Sequence, residues 1–212
     1  MNSKIFPPDG THYPIANAHV NSMEQYHEMY EESVTNPDGF WGNVAERITW
    51  FKKWEKVQQF DFVKANLKWF EGGKLNVSYN CLDRHVESGH GDATALIWEG
   101  NNPAEDKTFT YSELLEEVKR FANVLKGQGI RKGDRVCIYL QMIPELPIAM
   151  LACARIGAVH SVVFGAFSPE SLRARINDSA CKLLITQDAA VRGARSGLPM
   201  KVNADEAVAE CP

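Results

Sequence analysis

Two short segments carry residue types that could hold a ligand. Phe164-Gly165-Ala166-Phe167-Ser168 joins the apolar run Val159 to Phe164 to a helix start. Small residues there let a ligand approach the backbone closely, and free amide N–H groups at a helix start favour an anion. Val191-Arg192-Gly193-Ala194-Arg195-Ser196-Gly197 sets two arginines around a small pair. Both guanidinium groups could point at one polyanion and hold phosphate oxygens through bidentate hydrogen bonds. The candidate binding residues are therefore Phe164, Gly165, Ala166, Arg192, Gly193, Ala194 and Arg195. Each segment also has a plainer reading. Gly165-Ala166 serves as a compact strand-to-helix turn, and Arg192 and Arg195 serve as solvated loop charges.

Other suggestive residues support less. Gly127-x-Gly129-x-x-x-Gly133 departs from G-x-G-x-x-G and runs from helix to strand, the wrong order for a dinucleotide, so it reads as a helix stop. His85 and His90 are five apart and do not share a helix face. His160 lies inside a strand run and reads as a packed, hydrogen-bonded histidine. Asp83-Arg84-His85 reads as a local salt-bridge and capping cluster. The five cysteines (Cys81, Cys137, Cys153, Cys181, Cys211) are odd in number and form no C-x-x-C pair, and three lie within or beside apolar runs. They read as small core residues in a reducing compartment. No Ser/His/Asp or Cys/His set stands out, so no catalytic residue and no metal ligand is assigned.

The elements that must position the two segments follow from periodicity. Thr110-x-x-Glu113 is a capping box opening a helix with Leu114, Leu115, Val118, Phe121, Ala122 and Leu125 on one face. Gly127 or Gly129 ends it. Val136 to Leu140 is an unbroken apolar run, as expected of a strand buried on both faces. Pro144 and Pro147 precede an apolar helix to Ile156, stopped by Gly157. Val159 to Phe164 is a second buried strand, Ser168-Pro169-Glu170 opens a helix to about Asn177, and Leu183 to Thr186 is a third strand. This order predicts an α/β fold, a βαβαβ parallel sheet with helices on both faces. In such sheets ligands collect beyond the carboxyl ends of the strands. Both candidate segments are predicted to lie there.

Upstream, residues 1–75 hold four of the five tryptophans. Ser22 caps a predicted helix to Glu32, and Asn36-Pro37-Asp38 opens a second carrying Phe40, Trp41, Val44 and Ile48. Trp50 to Phe70 reads as an aromatic wrapping segment that packs on the rest of the protein. Gly72-Gly73 is a turn. The expected division is 1–75 as a helical, aromatic-rich segment and 76–212 as an α/β portion. The latter begins with a helix from Asn76 to Val86, a strand from Ala93 to Trp98 and a short partner strand from Lys107 to Thr110. Asp205 to Glu210 reads as a last helix.

At 212 residues with 44% apolar and 24% charged residues, the composition is that of a globular protein. Lys plus Arg is 23 and Asp plus Glu 27, a net charge of −4. A mildly acidic chain without a basic tract argues against nucleic-acid and membrane-surface partners. No apolar run approaches the ~20 residues that span a bilayer. Met1 to Pro8 lacks the apolar core of a secretory signal, so the cytoplasm is the expected compartment.

Several longer stretches resemble a known family. Gly72 to His85 (GGKLNVSYNCLDRH), Ala95 to Glu99, Arg131 to Tyr139, Met150 to Gly165 (MLACARIGAVHSVVFG), Phe167 to Glu170 and Arg192 to Arg195 are similar, in order and spacing, to the acetyl-CoA synthetases, AMP-forming members of the adenylate-forming enzymes. The resemblance runs from about residue 22 to 208, and Asn80-Cys81-Leu82-Asp83 favours the acetyl over the propionyl enzymes. It implies activation of acetate by ATP to acetyl-AMP and pyrophosphate, with Mg²⁺ screening the phosphates, then transfer of acetyl to the CoA thiol. It implies that Phe164, Gly165 and Ala166 lie near the adenine of CoA, and that Arg192 to Arg195 lie near its phosphates. Two departures bear on fine geometry. The family commonly has glycine where this chain has Ala166, and the small pair Gly193-Ala194 varies. The family's phosphate loop, T-S-G-[ST]-T-G-x-P-K-G, does not occur in the 212 residues. The expectation is a truncated N-terminal portion of the large domain, inactive alone, holding only CoA contacts, with apolar surface available for self-association. A free-standing CoA- or nucleotide-binding module and a structural fragment without ligand are the competing readings.

Overall fold

The computed structural model describes residues 18–193 and 195–212. The chain falls into two compact units, Met1–Lys74 and Leu75–Pro212.

In the first unit, α1 (Met23–Thr35) starts where the Ser22 side chain accepts a hydrogen bond from the Gln25 amide. Asn36 ends α1 and caps α2 (Pro37–Ala45), whose proline at the first turn forgoes an amide that has no helical partner. The stretch expected to wrap is a β-hairpin instead. Strand β1 (Lys56–Asp61) pairs antiparallel with β2 (Asn66–Glu71), Asp61 opposite Asn66. The turn between them lacks Asn-Gly or Asp-Gly. The Asp61 carboxylate accepts from the Val63 and Lys64 amides, and Ala65 takes a left-handed φ of 51°. Three aromatic rings pack mutually inside this unit: Trp50 lies 4.9 Å from Trp54 and 5.3 Å from Phe70, centroid to centroid, and Trp54 lies 5.2 Å from Phe70. The Trp50 indole N–H donates to the Ala45 carbonyl, so the polar edge of the ring is satisfied.

The second unit opens with wide helical turns of π type, Tyr79–Asp83 and Val86–His90, in place of the α-helix expected to stop near Val86. Hairpin β3 (Thr94–Trp98) and β4 (Lys107–Thr110) follows. Helix α3 (Tyr111–Gly127) carries the expected capping box, with Thr110 and Glu113 exchanging backbone and side-chain hydrogen bonds. Its buried face is Leu114, Leu115, Val118, Ala122 and Leu125.

Three parallel strands form the sheet in the order β6-β5-β7: β5 (Arg135–Leu140), β6 (Val159–Phe164) and β7 (Leu183–Thr186). Helices α4 (Glu145–Ile156) and α5 (Pro169–Ser179) connect them, and α6 (Met200–Val208) comes last. Side chains alternate along β5, so it feeds two cores. Val136, Ile138 and Leu140 pack with residues of α3 and α4. Cys137 and Tyr139 pack with Leu172 and Ile176 of α5 and with Met200 and Ala204 of α6. Helices thus cover both faces at the central strand. Fully burying one such aliphatic side chain contributes about 1.5–3 kcal/mol.

Side chains close the helix ends. Gly157 (φ 75°) ends α4, and the Asn76 amide donates to the carbonyls of Ala154 and Arg155. Asp83 takes both ends of the Arg155 guanidinium, at 2.8 and 2.9 Å. This pair is mostly buried, with side chains 14% and 27% exposed. The stretch Gly72 to His85 therefore supplies a brace for α4. Arg135 donates to the Ser179 and Ala180 carbonyls at the end of α5, where a cation also opposes the helix dipole. His160, on β6, is partly buried, and that burial lowers its pKa, favouring the neutral form.

Removing one partner of the Asp83–Arg155 pair strands the other, so Asp83→Ala is expected to cost about 2 kcal/mol. Arg155→Ala added to it should then cost little more. Denaturant melts of the three variants check this, and full additivity contradicts it. His160 gives a pH test. The unfolded chain takes up a proton below about 6.5 while the folded histidine resists it, so stability falls with pH from about 7 downward. His160→Gln is expected to lose less stability than the parent between pH 7.5 and 5.5; an equal loss contradicts the assignment.

Candidate functional site

The candidate segments both leave the carboxyl edge of the sheet. Phe164 is the last residue of β6, and a tight turn follows in which the Phe167 amide donates to the Phe164 carbonyl. The Phe164 ring is 61% exposed and meets Phe167 edge-on at 5.9 Å. Arg175, nearly two turns into α5, lies over the Phe167 ring, its guanidinium carbon 4.4 Å from the centroid. The two small residues differ in cause. A Cβ at Gly165 would sit 3.3 Å from the Leu140 carbonyl oxygen and 3.3 Å from the Met200 methyl, so a side chain there would crowd both neighbours. Ala166 is exposed. Ser168 caps α5 by accepting from the Ser171 amide. Hydrogen bonds from the Ser168 side chain and from its own backbone hold the Glu170 carboxyl below its usual range. That carboxylate occupies the first turn of α5, so an anion is disfavoured at this helix start.

The second segment is a hairpin, where a loop was expected. Strand β8 (Ala190–Arg192) pairs with β9 (Arg195–Leu198), Arg192 directly opposite Arg195. Gly193 takes a left-handed φ of 58° in the tight turn, with open space around the position of a Cβ. Arg192 is exposed. Arg195 belongs to β9 by its backbone; Ala194 lies outside the described residues. By backbone register, then, Arg192 and Arg195 occupy facing positions of the two strands.

Neighbouring residues that no sequence motif marks hold both segments. The Tyr139 side chain is buried, and its hydroxyl donates to the carbonyls of Gly165 (3.2 Å) and Phe167 (2.9 Å). Gln141 begins just beyond Leu140. Its side-chain amide pairs with the backbone of Val191, accepting from Val191 N–H at 2.9 Å and donating to the Val191 carbonyl. This copies a β-bridge with a side chain. Gln187 completes the clamp by accepting from the Gln141 backbone amide and donating to the Gln141 side-chain carbonyl. From the far side, the Asn101 amide donates to the Gly193 carbonyl at 2.9 Å. The one available sequence signal was position: polar residues directly after the apolar runs of β5 and β7.

Acid–base or nucleophilic chemistry finds little footing here. Burial pushes the Cys137 thiol up to about 12 and Cys153 to about 11, so neither forms a thiolate near neutrality. Among the described residues no group of three or more His, Cys, Asp or Glu side chains could hold a metal ion, and no helix is long and apolar enough to cross a membrane.

Two family models match the chain. One, described as AMP-binding enzyme, covers residues 82–210, and the other, acetyl-coenzyme A synthetase N-terminus, covers residues 26–81. Similar curated proteins carry the name acetyl-coenzyme A synthetase. That of Magnetococcus marinus is 55% identical over 210 residues, covering 99% of this chain and 32% of the relative. Those of Saccharophagus degradans (56% over 206 residues) and Syntrophus aciditrophicus (58% over 188) cover 94% and 88% of this chain, and 32% and 29% of their own. The chain thus spans about a third of the length of the relatives it matches.

The clamp predicts a local effect. In Gln141→Ala, hydrogen exchange at the Val191 amide is expected to speed up about tenfold or more, while amides in the β5–β7 ladder keep their protection. Equal loss across the whole sheet would contradict a role confined to the hairpin.

Proposed function

Because the chain belongs to the AMP-binding enzyme family, we propose that it is the front part of an AMP-forming acetate–CoA ligase and that it supplies part of the CoA site. In the whole protein, an acetate oxygen attacks the α-phosphorus of ATP and pyrophosphate leaves. The CoA sulfur then attacks the acyl carbon of acetyl-AMP, forming the thioester and releasing AMP. Mg²⁺ travels with the ATP phosphates, and this chain offers it no ligand set among the described residues.

The work proposed for this chain is to bind and orient CoA. Arg192 and Arg195 take its phosphates, and the exposed Phe164 ring and the Ala166 backbone take the adenine. Charge-assisted hydrogen bonds of this kind contribute about 1.5–3 kcal/mol each. The observation that carries the reading is that one strand end anchors both segments: Tyr139 holds the 164–167 turn, and Gln141 holds the arginine hairpin. The Ala166 methyl faces no obstacle in principle, since that residue is exposed. Without the phosphate-loop motif the chain alone is proposed to be inactive in adenylation. Cytoplasmic location fits a thioester-forming ligase whose cysteines stay reduced. A CoA-binding module without catalysis is the second reading, favoured by the same hairpin geometry.

Calorimetric titration of the chain with CoA at 50 and 200 mM salt tests the assignment. Binding is expected to weaken with salt, because phosphate contacts are electrostatic. Arg192→Ala/Arg195→Ala should weaken it by tenfold or more. Unchanged affinity in the double variant would remove the arginines from the site.

A further inference from the structure

A second charged concavity lies at the opposite end of the sheet. It has a volume of about 790 Å³ and is lined by Lys119, Lys126, Arg131, Lys132 and Arg155, with Asn123 among the remaining lining residues and no carboxylate. This is unexpected in a chain with more acids than bases. The cleft sits where Arg131 and Lys132 lead into β5 and Ile156 leads toward β6. A six-residue strand is roughly 20 Å long, so the cleft is not an extension of the arginine hairpin.

Two of the five cations have carboxylate partners, Lys119 with Glu116 and Arg155 with Asp83. Among the described residues no carboxylate lies within ion-pair distance of Lys126, Arg131 or Lys132. The ordinary explanation for cations beside helix C-termini is that they neutralise free carbonyls. Here the carbonyls are already used. At the end of α3, Val124 accepts from the Gln128 amide, Leu125 from the Ile130 amide, and Lys126 from both the Gly129 amide and the Arg131 guanidinium. At the end of α4, Cys153 accepts from the Ala158 amide, and Ala154 accepts from the Gly157 amide and the Asn76 side chain. The two helix ends together present about one negative charge, which the Arg131 guanidinium on the α3 carbonyls already balances, so Lys126 and Lys132 remain without a counter-charge. The Arg131 guanidinium is fixed by the carbonyls of Lys126 and Ile130, and the Lys132 stem lies against Gly157, where a Cβ would come within 3.0 Å of it. Such anchoring pre-positions the charges for a ligand.

We propose that this cleft binds a small polyphosphate anion, the phosphate chain of a nucleotide or an inorganic polyphosphate. Its concave shape and volume suit a small molecule. A nucleic acid would call for a longer basic stripe, which this acidic chain lacks.

The test is an NMR titration of the ¹⁵N-labelled chain with inorganic triphosphate and, separately, ATP, at 50 and 200 mM salt. Saturable shifts are expected at residues 126–132 and 155–157, with affinity falling several-fold at the higher salt. Equal affinity for the two probes assigns the contacts to the phosphate chain; tighter ATP adds its nucleoside. Lys126→Glu/Lys132→Glu should weaken binding at least tenfold, and Lys126→Arg/Lys132→Arg should retain it, both with unchanged circular dichroism. Absence of saturable shifts at these residues, shifts confined to 190–198, or full affinity in the folded Glu double variant would overturn the proposal.

Discussion

The carboxyl end of β5 is the constraint on which the site depends. Tyr139 and Gln141 sit two residues apart, and each converts a fixed strand into a fixed loop. Tyr139 is locked because its ring is buried among α5 and α6 residues, so its hydroxyl meets the Gly165 and Phe167 carbonyls from a rigid base. Gln141 is locked because Gln187 bonds both its backbone and its side chain. A buried hydroxyl without those carbonyls would leave unpaired polar atoms in a core, which costs about 1–3 kcal/mol. The turn after β6 is therefore held by the core itself.

The same strand couples the two halves of the core. Its alternating residues serve two clusters, and the residues of one cannot be shifted without moving the other. The bracing of α4 by Asn76 and Asp83 extends this order to the opening segment of the second unit. Those two residues fall in one of the stretches that resemble the acetyl-CoA synthetases, and in this structure their work is mechanical: they fix a helix whose start lies just beyond the β5 edge.

Much of this was legible in the sequence where local chemistry and packing agree. Thr110 with Glu113, Ser168 with Pro169, and Gly157 marked helix ends, and the apolar runs at 136–140, 159–164 and 183–186 marked strands. The hairpin at 56–71 was not legible because Asp61 and Ala65 build its turn without glycine, and its aromatic residues mask the alternation. Helical turns of π type shift the facing residues, so the segment after Asn76 ran on to His90 where a 3.6-residue period had it ending earlier. At the site, the arginines and small residues showed as types, but Gly165 answers to the nearby Leu140 carbonyl and the Met200 methyl, contacts between distant positions. Gln141 carried no motif, since a side-chain amide paired with a backbone is visible only once β5 and β8 are brought together.

The measurement that tests this account most directly is the hydrogen-exchange footprint of CoA on the chain. The account predicts slowed exchange at 164–168 and 190–198 together, because one strand end holds both segments for one ligand. Protection at only one of them, or at neither while CoA is bound, would contradict a shared site at the β5 edge.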